Sequence, residues 1–104
     1  SRGVERMNEK GKYIIRKLFE AYCSHPQQLP DGPILHFLTE FDPIQYPNID
    51  EAKEKGIGKA RTDFDVIIKK DSMYASCLLM RRICDHIACM TDHYAITEYN
   101  NLYG

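Results

Sequence analysis

The segment from Tyr74 to Tyr103 constrains the fold more than any other part of this chain. It contains neither proline nor glycine, so nothing in it interrupts a helix. Its apolar residues recur at steps of three and four, the spacing of one helical face. The pattern predicts one long helix or two helices in tandem, with the first running from about Met73 to Met90.

The two ends of this predicted helix carry residues that favour caps. Asp71 or Ser72 can cap its start, because short polar side chains accept hydrogen bonds from the free amides of a first turn. A β-branched residue followed by an aspartate, Thr91 and Asp92, favours a slight break. We expect Asp92 to cap a final helix that ends at Leu102.

The remainder of the chain is also predicted to be helical. An amphipathic stripe that includes Val4 and Met7 predicts a first helix over residues 4–23, which ends before Pro26. A short helix is expected to start at Pro33, and one or two turns over Asp50–Lys55. The stretch 56–72 is ambiguous, and helix is favoured because no other segment offers a partner strand. The predicted fold class is therefore all-α: one domain, residues 1–104, a small bundle of about four to five helices with a long C-terminal helix.

The charge balance excludes several classes of partner. With 14 basic and 15 acidic residues, the formal net charge is -1, which gives no reason to expect general nucleic-acid binding. No apolar run reaches membrane-spanning length, and the N-terminus lacks the apolar core of a signal peptide. We expect a cytoplasmic protein. The missing initiator methionine suggests a piece cut from a longer chain.

The four cysteines, Cys23, Cys77, Cys84 and Cys89, are predicted to be reduced and buried. Three of them fall at apolar-pattern positions of the C-terminal segment. Cys84 and Cys89 are too far apart along a helix, and rotated too far around it, to form a disulfide. Reduced thiols agree with a cytosolic protein.

The apolar arc of the C-terminal segment is unusually wide. The predicted buried seam consists of Met73, Cys77, Met80, Cys84, Ile87, Thr91 and Ala95, flanked by Leu79, Ile83, Met90 and Tyr94. A helix with so broad an apolar surface is buried on more than one side. We expect it to pack against a neighbour that this chain does not provide.

The polar residues within this arc are the candidate functional residues. They are Arg81, Arg82, Asp85, His86, Asp92 and His93. Arg81 and Asp85 can pair four residues apart, and a network of Arg82, Asp85 and His86 is an equal alternative. Such pairs can simply form a solvated face. Alternatively, the stripe lines a cleft in which Arg82 meets an anion such as phosphate.

Other chemistries are not indicated. His86, Cys89 and His93 share one helical face, but their spacing matches no common zinc module and no fourth ligand follows. There is no paired nucleophile and base, and no phosphate-binding glycine loop. The centre is basic, with Lys53, Lys55, Lys59, Arg61, Lys69 and Lys70. This is either a solvated surface or a rim that attracts a nucleotide.

The stretch Arg82-Ile-Cys-Asp-His-Ile-Ala-Cys-Met-Thr-Asp-His-Tyr-Ala95 resembles a C-terminal signature of bacterial deoxyguanosinetriphosphate triphosphohydrolases, which are dNTPases of the HD superfamily. Their pattern is roughly Arg-x-x-x-Asp-Tyr-Ile-Ala-Gly-Met-Thr-Asp-Arg-Tyr-Ala, and Arg81 fits its arginine spacing. The chain departs from it at His86, Cys89 and His93. Upstream, the stretch from Gly11 to Tyr22 and the prolines after it resemble the start of the same associated domain.

The resemblance implies an all-helical piece of a larger enzyme that cleaves a dNTP to deoxynucleoside and triphosphate. In that family a divalent metal, Mg or Mn, is held by an N-terminal HD domain, and this chain has no His-Asp dipeptide. The resemblance therefore implies no catalytic residue and no metal ligand here, an inactive isolated chain, and a dNTP as substrate of the whole enzyme. The implied partners are the HD domain of the same protein and further copies in a homo-oligomer.

Within this chain the resemblance implies two groups of site residues. The candidates for nucleotide contact are Arg81, Arg82, Asp85 and Tyr94. The candidates for a structural or interface role are Met90, Thr91, Asp92 and Tyr99. Two alternatives stay open: a non-enzymatic helical interaction module, indicated by the wide apolar arc, and a nucleotide-sensing domain, indicated by the basic centre.

Overall fold

The structure, a computed structural model, describes residues 9–104, and this part of the chain forms six α-helices with no strand. The helices are α1 (Glu9–Ser24), α2 (Asp31–Phe41), α3 (Ile49–Lys55), α4 (Ile57–Lys69), α5 (Met73–Ala88) and α6 (Asp92–Tyr103), and a 3-10 turn covers Pro26–Gln28. The predicted all-α bundle is confirmed. Val4 and Met7, predicted to begin the first helix, lie outside the described residues.

Helix α2 begins two residues earlier than predicted. Its first residue is Asp31 rather than Pro33. The first amides of a helix have no intrahelical acceptor, so a proline in the third position costs no hydrogen bond. Asp31 also places a negative charge in the first turn, which the helix dipole favours.

The ambiguous stretch after Gly56 is helical, as predicted. Asn48 caps α3 by accepting a hydrogen bond from the Glu51 amide at 2.8 Å. Gly56, with φ of 96°, then turns the chain so that α4 starts at once. Only glycine adopts this φ readily, so the junction between α3 and α4 depends on it.

The break in the C-terminal segment is present, but its cap differs from the prediction. Ser72 caps α5, which ends at Ala88 rather than Met90. Thr91, not Asp92, caps α6, because the Thr91 hydroxyl accepts a hydrogen bond from the Tyr94 amide at 3.1 Å. Asp92 is instead the first residue of α6, where its charge still opposes the positive end of the helix dipole.

The core lies between α5 and the helices that pack against it, chiefly α1 and α2. Helix α1 contacts α5 and α6, whereas α2 contacts α3, α4 and α5. Phe37 of α2 is fully buried, with the ring of Phe64 edge-on at 5.1 Å and that of Phe41 stacked at 5.7 Å. Leu18 and Ile83, both fully buried, fill the space between α1 and α5.

The buried face of α5 is not the predicted seam. The residues that α5 buries are Ala75, Leu79, Ile83 and Ile87. Of the predicted seam only Ile87 and Ala95 are buried, while Met73 is 80% exposed and Met80 47% exposed. The two faces are rotated by roughly 100° about the helix axis. Helices α1 and α2 cover one side of a broad apolar surface and leave the other side open.

The cysteine prediction is half right. All four thiols are free, but each is exposed rather than buried. Cys77 and Cys84 lie on the open side of α5, Cys23 is near the end of α1, and Cys89 directly follows α5. Among residues 9–104, no helix is both long and apolar enough to span a membrane.

Candidate functional site

The two arginines of α5 occupy different environments. Arg82 is directed toward α2, where its Nε lies 3.3 Å from a Glu40 carboxylate oxygen. The same guanidinium donates to the carboxylate of Asp85 at 2.8 Å. The arginine side chain is only 18% exposed, whereas that of Asp85 is 61% exposed. Arg82 thus joins α5 to α2, and two carboxylates already satisfy its charge.

Arg81 is exposed and has no hydrogen bond or ion pair within residues 9–104. Asp85, its alternative partner from the sequence, pairs with Arg82 instead. The structure therefore distinguishes Arg81 from Arg82, which the sequence alone could not do. Arg81 has an uncommitted guanidinium on the open side of α5, and such a group can bind phosphate through two parallel hydrogen bonds.

A cluster of polar and aromatic side chains joins α1, α5 and α6. The Tyr22 hydroxyl donates a short hydrogen bond, 2.6 Å, to a carboxylate oxygen of Glu98. The ring of His86 lies edge-on between two tyrosine rings, 5.5 Å from Tyr22 and 6.3 Å from Tyr94. Burial and the neighbouring Glu98 carboxylate both raise the pKa of Tyr22, so its hydroxyl stays protonated. We call these four residues the Tyr22 cluster.

His86 is the unusual member of the Tyr22 cluster. Its Nε2 atom is buried and has no hydrogen-bond partner among the described residues. Burial lowers the pKa of His86 from its ordinary value of 6.5, and the Glu98 carboxylate opposes that shift only in part. A neutral imidazole packed against tyrosine rings is a core contact, and it replaces the tyrosine of the family pattern.

Replacing His86 with phenylalanine tests this role through pH. The lowered pKa means that the unfolded chain takes up a proton before the folded chain does. The free energy of unfolding should therefore fall as the pH drops below about 6.5 and through the folded-state pKa. His86→Phe should remove this part of the pH dependence, as measured by urea unfolding at several pH values. His36→Asn, on an exposed histidine of α2, should leave it intact; an unchanged pH profile in His86→Phe would contradict the assignment.

Tyr94 and the predicted interface residues are spread over α6 and the turn before it. Tyr94 is 45% exposed, so one side of its ring is open to a ligand or partner. Met90 packs against the core, and Thr91 is the cap of α6. The rings of Tyr99 and Tyr13 lie 6.2 Å apart, which ties α6 to α1. Tyr99, Met90 and Thr91 thus have structural contacts within the chain.

The basic centre is partly neutralised. Lys59 pairs with Asp63 at 3.0 Å, and Lys69 with Asp65 at 2.9 Å. Arg61 lies 2.7 Å from Asp31. These pairs use half of the six cations that the sequence placed there, so this surface attracts anions less than the sequence indicates.

Sequence reasoning missed a second tyrosine–carboxylate pair. Tyr46, fully buried, donates to Asp63 at 2.5 Å. That hydrogen bond, with help from Lys59, lowers the pKa of Asp63, while burial and the carboxylate raise the pKa of Tyr46. Tyr46 lies between Pro43 and Pro47, and no spacing rule predicts that its side chain reaches α4. The pair joins the loop around Tyr46 to α4.

A cavity of about 460 Å³ opens between the end of α1 and the end of α6. Glu20, Ser24, His25 and Tyr103 are among its lining residues, and none of the four predicted nucleotide-contact residues lines it. Glu20 already pairs with Lys17 at 3.5 Å. The cavity and the Arg81 side of α5 are therefore separate surfaces.

The described residues do not form a hydrolytic metal centre. Across residues 9–104, no three His, Cys, Asp or Glu side chains are placed to share an ion. The residues present thus do not fit the divalent metal that the family resemblance implies for the whole enzyme.

A comparison with known protein families gives a match to the segment that contains α5. Residues 59–101 match the family model of the phosphohydrolase-associated domain. The matched segment starts in α4, contains all of α5 and ends in α6, so it includes Arg81 and three members of the Tyr22 cluster. The match supports the predicted HD-associated domain, whereas specificity for dGTP stays a prediction. No curated protein and no solved structure matches the chain.

Proposed function

We propose that this chain is the accessory helical part of an HD-type dNTP triphosphohydrolase, which walls the nucleotide pocket and supports assembly. The match of residues 59–101 to the phosphohydrolase-associated domain carries the proposal. The enzyme as a whole would release deoxynucleoside and triphosphate. The divalent metal and the catalytic residues would belong to an HD domain, as the family resemblance implies.

Arg81 is the proposed phosphate contact. It is exposed and unpaired within residues 9–104, whereas Arg82 is held by Glu40 and Asp85. A ligand that binds Arg81 does not have to displace an existing ion pair, so less of the binding free energy is lost. Arg82 and Asp85 would position α5 against α2, and Tyr94 would offer its open ring face to a base or sugar.

The open side of α5 is the proposed contact with the HD domain. Met73 is 80% exposed and Tyr74 is 58% exposed, both at the start of α5. Large apolar side chains this accessible are typical of surfaces that another protein covers. Homo-oligomer formation is part of the same proposal and would use surfaces of the complete enzyme.

The test uses the 104-residue chain and an HD-containing protein that carries it. The chain alone, with dGTP and Mn or Mg, should release no triphosphate. In the HD-containing protein, Arg81→Ala should lower kcat/KM about tenfold or more, because a hydrogen bond to a charged group contributes about 1.5–3 kcal/mol. Lys70→Ala, which removes an exposed cation from the α4–α5 turn, is the matched control.

Two results would contradict the proposal. Turnover by the pure 104-residue chain would show that the chemistry does not need an HD domain. Equal kcat/KM for Arg81→Ala and Lys70→Ala would remove Arg81 from the pocket. Product analysis by ion-exchange chromatography separates triphosphate from pyrophosphate or phosphate, and so tests the reaction type independently of the arginine.

A non-enzymatic interaction module is the second candidate function. The exposed apolar side chains of α5 favour it, because they suit any protein partner. Nucleotide binding distinguishes the interaction module from the accessory role. If the chain is only an interaction module, mixing it with an HD domain should not change the affinity for dNTPs. If it has the accessory role, the affinity should increase. The nucleotide-sensing alternative would require the chain alone to bind dNTPs, measured by calorimetry.

A further inference from the structure

Sulfur atoms from two helices meet on the open side of α5. The Cys23 thiol, near the end of α1, lies 3.9 Å from the thioether sulfur of Met80. Cys84 follows Met80 by one helical turn, so the two side chains project from the same face of α5. The Cys84 thiol is also close enough to Cys23 to raise the pKa of that thiol.

The spacing of the Cys23 and Met80 sulfurs suits a small metal ion. Three sulfurs arranged at 120° around an ion, each about 2.3 Å from it, are about 4.0 Å apart. The Cys23–Met80 separation of 3.9 Å agrees with one edge of that triangle. Cys84, one helical turn from Met80 on the same face, is the candidate for the third sulfur, and its thiol is exposed and free of a disulfide.

The donor set is selective for soft ions. Two thiolates and a thioether favour Cu(I) over Mg or Mn, which prefer oxygen. No third His, Cys, Asp or Glu within residues 9–104 joins the two cysteines. Zinc usually takes four ligands, so this set of three suits it less well.

We propose that Cys23, Met80 and Cys84 form a binding site for one Cu(I) ion, held by two thiolates and one thioether on the surface between α1 and α5. Binding forms three metal–sulfur bonds and releases one proton from each cysteine to solvent. No electron is transferred, because the ion enters and stays as Cu(I). The site shares no residue with the proposed nucleotide contacts, but it lies on the side of α5 that the proposed HD domain would cover. The two proposals are therefore tested separately, Cu(I) binding on the 104-residue chain and turnover on the HD-containing protein.

Proton competition gives the site a defined pH dependence. Partial burial, together with the nearby Cys84 thiol, raises the pKa of Cys23. The thiol must lose its proton before it binds the ion, so the apparent affinity for Cu(I) should fall as the pH is lowered. A site built only from thioethers would show no such dependence.

The test is an anaerobic Cu(I) titration of the 104-residue chain against a chromophoric Cu(I) chelator. We expect one ion per chain, and X-ray absorption should show sulfur as the only ligand type. Cys23→Ser and Cys84→Ser should each weaken binding about 100-fold, and Met80→Leu about tenfold. Cys77→Ser and Cys89→Ser remove thiols that are also exposed, and both should retain the affinity of the unmodified chain. Far-UV circular dichroism should show that all five variants stay helical.

Three results would overturn the site. Affinity that falls equally in all four serine variants would show adventitious thiol binding only. Wild-type affinity in both Cys23→Ser and Cys84→Ser would exclude these thiolates as ligands. An unchanged affinity in Met80→Leu would exclude the three-sulfur geometry.

Discussion

Phe64→Ala should destabilise the fold more than any other single substitution considered for this chain. Phe64 of α4 is fully buried, and its ring meets that of Phe37 edge-on at 5.1 Å. Truncation removes this contact and leaves a cavity between α2 and α4. Core Phe→Ala changes cost about 3–5 kcal/mol, a large share of the 5–15 kcal/mol that stabilises a typical domain. The midpoint of thermal unfolding should fall by roughly 15 °C or more.

Differential scanning calorimetry or urea unfolding measures this effect directly. Ile44→Ala is the matched control, because Ile44 is apolar but 92% exposed, and it should change stability by less than about 0.5 kcal/mol. Similar losses in both variants would mean that Phe64 is not part of a packed core. Such a result would also undermine the position of α4 against α2.

Arg61→Ala should have the second largest effect, through loss of hydrogen bonds rather than packing. The Arg61 guanidinium donates to the backbone carbonyl oxygens of Gln27 and Leu29, at 3.0 Å and 2.9 Å. It also binds the Asp31 carboxylate through Nε at 3.2 Å and a terminal nitrogen at 2.7 Å. The side chain thus fastens α4 to the segment that links α1 with α2.

The expected cost of Arg61→Ala is about 2–3 kcal/mol, since the variant leaves two carbonyls and a carboxylate without their charged donor. Arg61→Lys should recover little of this loss, because an ammonium group cannot reproduce the planar fork. Lys69→Ala is the control. Lys69 pairs with Asp65 of its own helix, but its side chain is 76% exposed, so the substitution should cost less than about 0.5 kcal/mol. Full recovery in Arg61→Lys would show that charge alone, not the fork, matters.

The local patterns of the sequence predicted most helices well. The absence of proline and glycine from Tyr74 to Tyr103 set where helix could form, and Ser72 caps α5 as expected. Errors occurred at helix ends, where several residues can serve as caps. Both Thr91 and Asp92 have suitable side chains, and only the backbone conformation of Thr91 shows which of them accepts the hydrogen bond.

The candidate site was predictable only in part. The spacing of Arg81, Arg82 and Asp85 gave two alternative pairs, because positions three and four apart are both neighbours on a helix. Glu40, on α2, lies against Arg82, and this contact from a different helix favours the Arg82–Asp85 pair. The Tyr22 cluster was not predictable, since Tyr22 and Glu98 are distant in sequence and their hydrogen bond depends on how α1 meets α6.

The sequence by itself determined that this chain is helical and that α5 has more apolar surface than one neighbour can cover, because both properties follow from residue type and spacing along a single helix. Only the tertiary structure decided which side of α5 is covered. Helices α1 and α2 bury Leu79 and Ile83, and they leave Met80 and Cys84 exposed. The physical reason is that hydrophobic burial has no intrinsic direction: it favours covering apolar area, and the positions of neighbouring helices select the area that is covered.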